Sequence, residues 1–220
     1  MNFNLQIKKL GELLALKSQS INLFSKGDRE LLEEKHLPDV MAFFETNWQF
    51  GDKLKVIDLG TGGGLPGLAL AINRKLWQFL LVDARLKKIK AVSEVAGELK
   101  LNNVAFDSMR LEDLANDSNI RESFDLAVAR AVAALPTLLE YAAGFVNVGG
   151  NLVAWKGDNY QEEVEQSKNA MKILGWNLAD VYEYSLPTGE ARFLLNFKKI
   201  KPTPAKFPRK PNLPRELPLI

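Results

Sequence analysis

The stretch Val56-Ile57-Asp58-Leu59-Gly60-Thr61-Gly62-Gly63-Gly64-Leu65-Pro66-Gly67 leaves this chain few ways to fold. Residues 56–59 are a short apolar run and read as a buried parallel strand. Five glycines among the eight residues 60–67 let the backbone turn sharply and come close to a ligand. Pro66 suits the first turn of a helix, where its missing N–H would have no partner anyway. Gly67-Leu68-Ala69-Leu70-Ala71-Ile72 continues that helix. Strand, glycine turn and helix form a nucleotide-type cradle at the carboxyl end of a central strand.

Asp58 decides which nucleotide. Gly62, Gly64 and Gly67 fit the G-x-G-x-x-G dinucleotide spacing. A carboxylate just before the turn would repel a pyrophosphate, however, and would stabilise a ligand that is positively charged there. S-adenosylmethionine carries an ammonium and a sulfonium, so Asp58 favours it as the cofactor. Asp83 closes a second apolar run, Phe79-Leu80-Leu81-Val82, and its two acceptor oxygens suit a ribose diol. A dinucleotide and a purely structural turn are the alternatives.

From residue 55 onward strands and helices alternate, which predicts a parallel sheet with helices on both faces. Strands are expected at 55–59, 78–83, 103–107, 124–129 and 151–156, with a closing antiparallel pair at 176–184 and 190–198. Helices are expected at 86–100, 135–146 (ending near the turn Gly149-Gly150) and 159–174 (closed by Gly175). Seven strands in this order fit an α/β, Rossmann-like methyltransferase sheet. Residues 1–50 read as a separate N-terminal helical extension, with Asp28 capping a helix from Arg29 and Pro38 breaking the pattern near Leu37. Residues 51–200 would be the methyltransferase domain. Residues 201–220 would be a basic tail, extended and lying on the body because of its prolines.

Composition narrows the class. No apolar run reaches membrane-spanning length, and the N-terminus has no signal-peptide core, so a cytoplasmic location is expected. The chain has no cysteine and one histidine, which leaves no basis for a disulfide or a histidine-rich metal site. Net charge is only +2, yet seven basic residues and no acidic one lie between Lys198 and Arg215. Such a block is the footprint of a polyanion partner.

Three loops leave the carboxyl ends of strands, the usual ligand rim. Met109-Arg110-Leu111-Glu112-Asp113 offers an apolar contact and a hydrogen-bond acceptor to an adenine. In Ala129-Arg130-Ala131 an arginine leaves a buried strand and needs a carboxylate, a phosphate or solvent. Trp155-Lys156-Gly157 pairs an aromatic with a cation, to stack on a base and meet phosphate, or simply to fill the core.

These pieces, with the tail Lys201-Pro202-Thr203-Pro204-Ala205-Lys206-Phe207-Pro208-Arg209-Lys210, resemble the ribosomal RNA small subunit methyltransferase G family, also called glucose-inhibited division protein B. The resemblance spans nearly the whole chain. Asn22-Leu23 and His36-x-x-Asp39 resemble its N-terminal block, although Lys35 stands where arginine is usual and Val40 where serine is usual. The resemblance implies methyl transfer from S-adenosylmethionine to N7 of a guanosine in the 530 loop of 16S rRNA. By match to the family's motif, Gly60, Leu65, Leu111, Glu112 and Arg130 would line the cofactor; Asp58, Gly62 and Asp83 join them from the reading above. Arg130 and Lys156 would place the guanosine, and His36, Lys156, Lys201, Lys206, Arg209 and Lys210 would contact the RNA. A structural hydrogen bond is the alternative job for His36.

The chemistry is compatible. Methylating C5 of a pyrimidine normally needs a cysteine nucleophile, which is missing here. Exocyclic-amine methylation usually involves an Asn/Asp-Pro-Pro-aromatic loop, and the corresponding loop here is Ala129-Arg130-Ala131-Val132. Guanine N7 has a free lone pair and no proton to lose, so it needs alignment more than a base. The partner is then 16S rRNA or the small ribosomal subunit, with no membrane, and a monomer is expected. A small-molecule methyltransferase, a dinucleotide-dependent oxidoreductase and a non-catalytic RNA-binding factor are the competing classes.

Overall fold

The computed structural model describes residues 2–220. Its centre is a seven-stranded sheet in the order β3-β2-β1-β4-β5-β7-β6. The strands are β1 Lys55–Leu59, β2 Gln78–Val82, β3 Val104–Asp107, β4 Phe124–Arg130, β5 Val146–Lys156, β6 Trp176–Ser185 and β7 Ala191–Lys199. β1 pairs in parallel with both β2 and β4, and β7 alone runs antiparallel to its neighbours β5 and β6. Chain direction through the sheet reverses between β1 and β4, and ligands of open α/β sheets bind outside the carboxyl ends of strands at that point.

The central strands are apolar on both sides because both faces are covered. One face carries α1 Phe3–Lys17, α2 Lys26–Glu30, α3 Leu37–Met41, α4 Gly67–Asn73 and α5 Leu86–Glu98. The other carries α6 Leu111–Leu114, α7 Leu135–Ala143, α8 Tyr160–Gln166, α9 Lys168–Leu174 and α10 Leu213–Glu216. Alternate residues feed the two cores: Val56, Leu126 and Val128 go to the first, Ile57, Ala127 and Ala129 to the second.

The segment before β1 is part of the first core. Leu10, Leu14, Leu32, Val40 and Phe43 are buried in one cluster with Val56, Leu68 and Val92. α1 lies against α4 and α5, and Phe43 stacks on Trp155 with ring centroids 6.2 Å apart. Trp155 is therefore core, with its Nε1–H donated to the Asp39 carbonyl at 2.8 Å.

Several local expectations are corrected. Ser25 caps α2 by accepting the Asp28 N–H, and Asp28 sits within the first turn. Helix α7 ends at Ala143, and β5 starts at Val146. Gly149 takes φ +89° inside β5, where the register with β4 shifts, so Gly149-Gly150 is an irregularity of a strand and not its preceding turn. The helix expected at 159–174 is two helices meeting at Ser167, whose hydroxyl back-bonds to the Glu163 carbonyl. The tail is irregular apart from α10, and it is held to the body throughout its length.

Candidate functional site

Two cavities open at the carboxyl ends of β1 and β4, and both are lined by Ala131 and Val132. The first has a volume of about 270 Å³. Gly60 and Asp83 form one side, Leu111 and Glu112 another. Gly60 stands at φ +64°, and a Cβ there would lie 3.2 Å from the Val132 side chain. Only glycine lets the turn press this closely against the loop after β4.

Asp83 is 7% exposed, directly follows β2 and lines this cavity. Its Oδ2 accepts the Gly62 N–H at 3.2 Å, and its Oδ1 accepts the Arg85 N–H at 2.9 Å. Gly62 thus shapes the turn through Asp83, at φ +56°, without lining the cavity. Leu65 is buried in the first core behind the turn. Glu112 is buried, and its Oε1 accepts the Asn212 N–H at 3.0 Å. These residues fit a nucleoside: carboxylate oxygens for hydroxyls and ring nitrogens, Leu111 for a flat apolar face, and a backbone cradle that a side chain would fill.

Asp58 lies behind the turn, fully buried. Its Oδ2 accepts the Thr61 hydroxyl at 2.6 Å and the Gly67 N–H at 2.9 Å, which ties the turn to the head of α4. Its Oδ1 is buried without a partner. Burial is the main reason its carboxyl is pushed up to about 7, against the opposing hydrogen bonds. A cation nearby would favour the ionised form.

The second cavity, about 440 Å³, is lined by Lys35, His36, Asp39, Arg130, Lys156 and Arg192, among others. Arg130, expected at the cofactor, the substrate or both, lines this cavity and not the first. Its Nη1 donates to Asp39 Oδ2 at 2.9 Å and to His36 Nδ1 at 3.1 Å. Asp39 Oδ1 also accepts the Tyr184 hydroxyl at 2.5 Å. Because arginine only donates, His36 Nδ1 must accept, which assigns the ring proton to Nε2. Burial, then the Arg130 charge, lowers the His36 pKa and keeps it neutral at pH 7. Its Nε2 lies 3.4 Å from Asp28 Oδ1 without hydrogen-bond geometry. His36 therefore has the structural bond weighed for it, inside the second cavity.

Lys156 donates to Glu163 Oε2 at 2.7 Å and to the Ala133 carbonyl at 3.1 Å. Glu163 also accepts the Leu135 N–H, so the same pair fixes the start of α7. Phe24 stacks on His36 with centroids 5.5 Å apart, and a Cβ on Gly63 would lie 2.3 Å from the Phe24 ring. The N-terminal segment is thus seated directly on the glycine turn. Gly63→Ala must displace Phe24, and we expect it to lower stability by about 1–3 kcal/mol, read in urea melts.

The basic tail is less free than its sequence suggests. Lys201, Lys206 and Lys210 are exposed. Arg209, expected to contact the RNA, grips the fully buried Glu140 of α7, with Nε–Oε1 3.0 Å and Nη2–Oε2 2.7 Å. Lys199 is buried against Glu122 and Thr203. Sequence reasoning also missed Asn212 and Arg215, which line the first cavity from the tail.

Known proteins point the same way. Residues 4–188 match the family model described as GidB, rRNA small subunit methyltransferase G. The chain is 35% identical to the ribosomal RNA small subunit methyltransferase G of Syntrophomonas wolfei, covering 100% of both chains. It is 40% identical to that of Acetivibrio thermocellus, over 92% of this chain and 83% of the relative. The solved structure of M. jannaschii TYW2 in complex with AdoMet shares the fold, with a TM-score of 0.55 and 15% identity over 74% of this chain and 77% of that one. By that match over most of its length and by these identities, the chain belongs to the rRNA small subunit methyltransferase G family.

Proposed function

We propose that this chain transfers the methyl group of S-adenosylmethionine to N7 of a guanosine in the 530 loop of 16S rRNA. The observation that carries the reading is the pair of cavities sharing the Ala131-Val132 wall, one suited to a nucleoside and the other lined by lysine and arginine donors. When bound, S-adenosylmethionine supplies an electrophilic methyl group on a sulfonium. Asp83 would accept the ribose hydroxyls, and Leu111 and Glu112 would hold the adenine. Buried Asp58, raised by its own burial, gains from a positive ligand nearby.

On the other side Lys35, Arg130, Lys156 and Arg192 line the cavity, each held by a carboxylate (Glu190, Asp39, Glu163 and Glu190 in turn), and would turn their remaining donors to a phosphate backbone. His36 is no free base, because Arg130 occupies its acceptor nitrogen. N7 needs none, and the work left to the chain is alignment and water exclusion. A base in a loop is also cheaper to unstack than one in a duplex. In this reading the protein works in the cytoplasm, on ribosomal RNA, as a monomer.

The test is transfer of labelled methyl to 16S rRNA or small subunits from cells lacking the modification, followed by nucleoside analysis. Label in 7-methylguanosine supports the reading, and label in another nucleoside removes the target atom. No label would favour a small-molecule substrate or a non-catalytic RNA-binding factor. Arg130→Lys should raise the KM for RNA about tenfold or more, the scale of one charge-assisted contact, while leaving the cofactor dissociation constant unchanged. Weaker cofactor binding in that variant would return Arg130 to the cofactor.

A further inference from the structure

We infer that Arg215, near the end of the C-terminal tail, is a positioning residue of the methyl-transfer site: it holds the Val132 carbonyl and so fixes the wall between the two cavities. The inference rests on the functional reading above. The tail is pinned upstream at Thr203, whose hydroxyl donates to the Ala143 carbonyl at 2.6 Å, and at Arg209 on Glu140. It then turns at Asn212, which has φ +71°. The Asn212 N–H goes to buried Glu112, and its Oδ1 accepts Arg110 Nη1 at 3.0 Å. Thr137 donates to the Pro214 carbonyl at 2.8 Å. Arg215 Nη2 then donates to the Val132 carbonyl at 3.0 Å.

That carbonyl belongs to an unusual loop. Ala131 stands at φ +56°, a conformation that costs a residue with a Cβ and persists only when its surroundings impose it. On one side the Val132 methyls press against the turn where Gly60 has no side chain. On the other, Arg215 holds the carbonyl. Arg215 has no carboxylate within ion-pair distance among the described residues, although it lines the first cavity. Its guanidinium therefore serves the loop and the cavity. The tail reads as part of the cofactor site, and the phosphate-arm role suggested by its charge falls to its exposed lysines.

The experiment compares Arg215→Ala, Arg215→Lys and, as a control, Glu216→Ala, its exposed neighbour on α10, with the wild type. It measures S-adenosylmethionine affinity by calorimetry, kcat on small subunits, RNA affinity and melting temperature without cofactor. Arg215→Ala should weaken the cofactor about tenfold and lower kcat, with RNA affinity and melting temperature unchanged. Glu216→Ala should leave cofactor affinity and kcat as they are. Arg215→Lys keeps the charge but not the fork, and should not restore kcat; full recovery would overturn the positioning role. If the wild type binds cofactor and the alanine variant equals it in affinity and kcat, the inference falls and the functional reading stands. Lost RNA affinity with cofactor binding intact would also overturn it. A wild type that does not bind S-adenosylmethionine would overturn the functional reading itself.

Discussion

Asp58→Ala is expected to lower stability by about 3 kcal/mol and to abolish most cofactor affinity. The change strips the acceptor from two buried donors, the Thr61 hydroxyl and the Gly67 N–H, at about 1–3 kcal/mol each. Shape and charge are lost together, so Asp58→Asn separates them. Its amide oxygen can keep both bonds, and its NH2 falls where Oδ1 has no partner. The folded pKa of Asp58, about 7, lies above the unfolded value of 3.8. Stability from this group is complete below the unfolded value and is lost as pH rises through 7, by at most roughly 4 kcal/mol at 1.36 kcal/mol per unit. Urea melts should therefore show the wild type losing ground to Asp58→Asn between about pH 4 and about pH 7. A cationic ligand pulls the other way. Wild-type affinity for S-adenosylmethionine should rise across the same window, and that of Asp58→Asn should stay flat. Equal affinities at the upper end, measured by calorimetry, would sink the charge argument for Asp58 and leave it as a purely structural clamp.

What the sequence disclosed follows from the range of each interaction. The β1–turn–α4 unit was legible because its signals, an apolar run and closely spaced glycines, act on the residues that carry them. The capping error at Ser25 is local too, since Ser25 and Asp28 bond to one another and either type can cap. Gly149-Gly150 misled because a glycine pair marks a turn or a bulge alike, and only the pairing with β4 decides. The site was half visible. Gly60, Asp83, Leu111 and Glu112 meet at one cavity because each ends or follows a strand, and sheet topology gathers strand ends. Arg130 was assigned to both ligands; its partners His36 and Asp39 lie more than ninety residues earlier, and nothing local announces them. The same holds for Arg215, whose acceptor Val132 is 83 positions away.

Charge counting failed for the same reason, and Arg209 tests how far. Read from sequence, Arg209 is one cation in a run that attracts RNA. In the fold it neutralises Glu140, which is 0% exposed, through its Nε and Nη2 and also donates its backbone N–H at 2.8 Å. Removing the cation strands a buried carboxylate, so Arg209→Ala should cost about 3–5 kcal/mol and lower the melting temperature by roughly 10 °C. Lys210→Ala, one residue on but exposed, should stay within about 0.5 kcal/mol. Replacing Glu140 and Arg209 together with Met should cost less than Arg209→Ala alone, because no charge is left buried, although the Arg209 N–H loses its acceptor. The RNA measurement completes the contrast. Below its melting point Arg209→Ala should keep the wild-type salt dependence of RNA binding, since Arg209 neutralises a carboxylate and no phosphate. The triple change Lys201→Ala, Lys206→Ala, Lys210→Ala should leave stability alone and flatten that dependence by about 0.7 for each phosphate no longer neutralised. If Arg209→Ala instead flattens the slope at unchanged stability, the Glu140 pair is incidental and Arg209 is an RNA anchor after all.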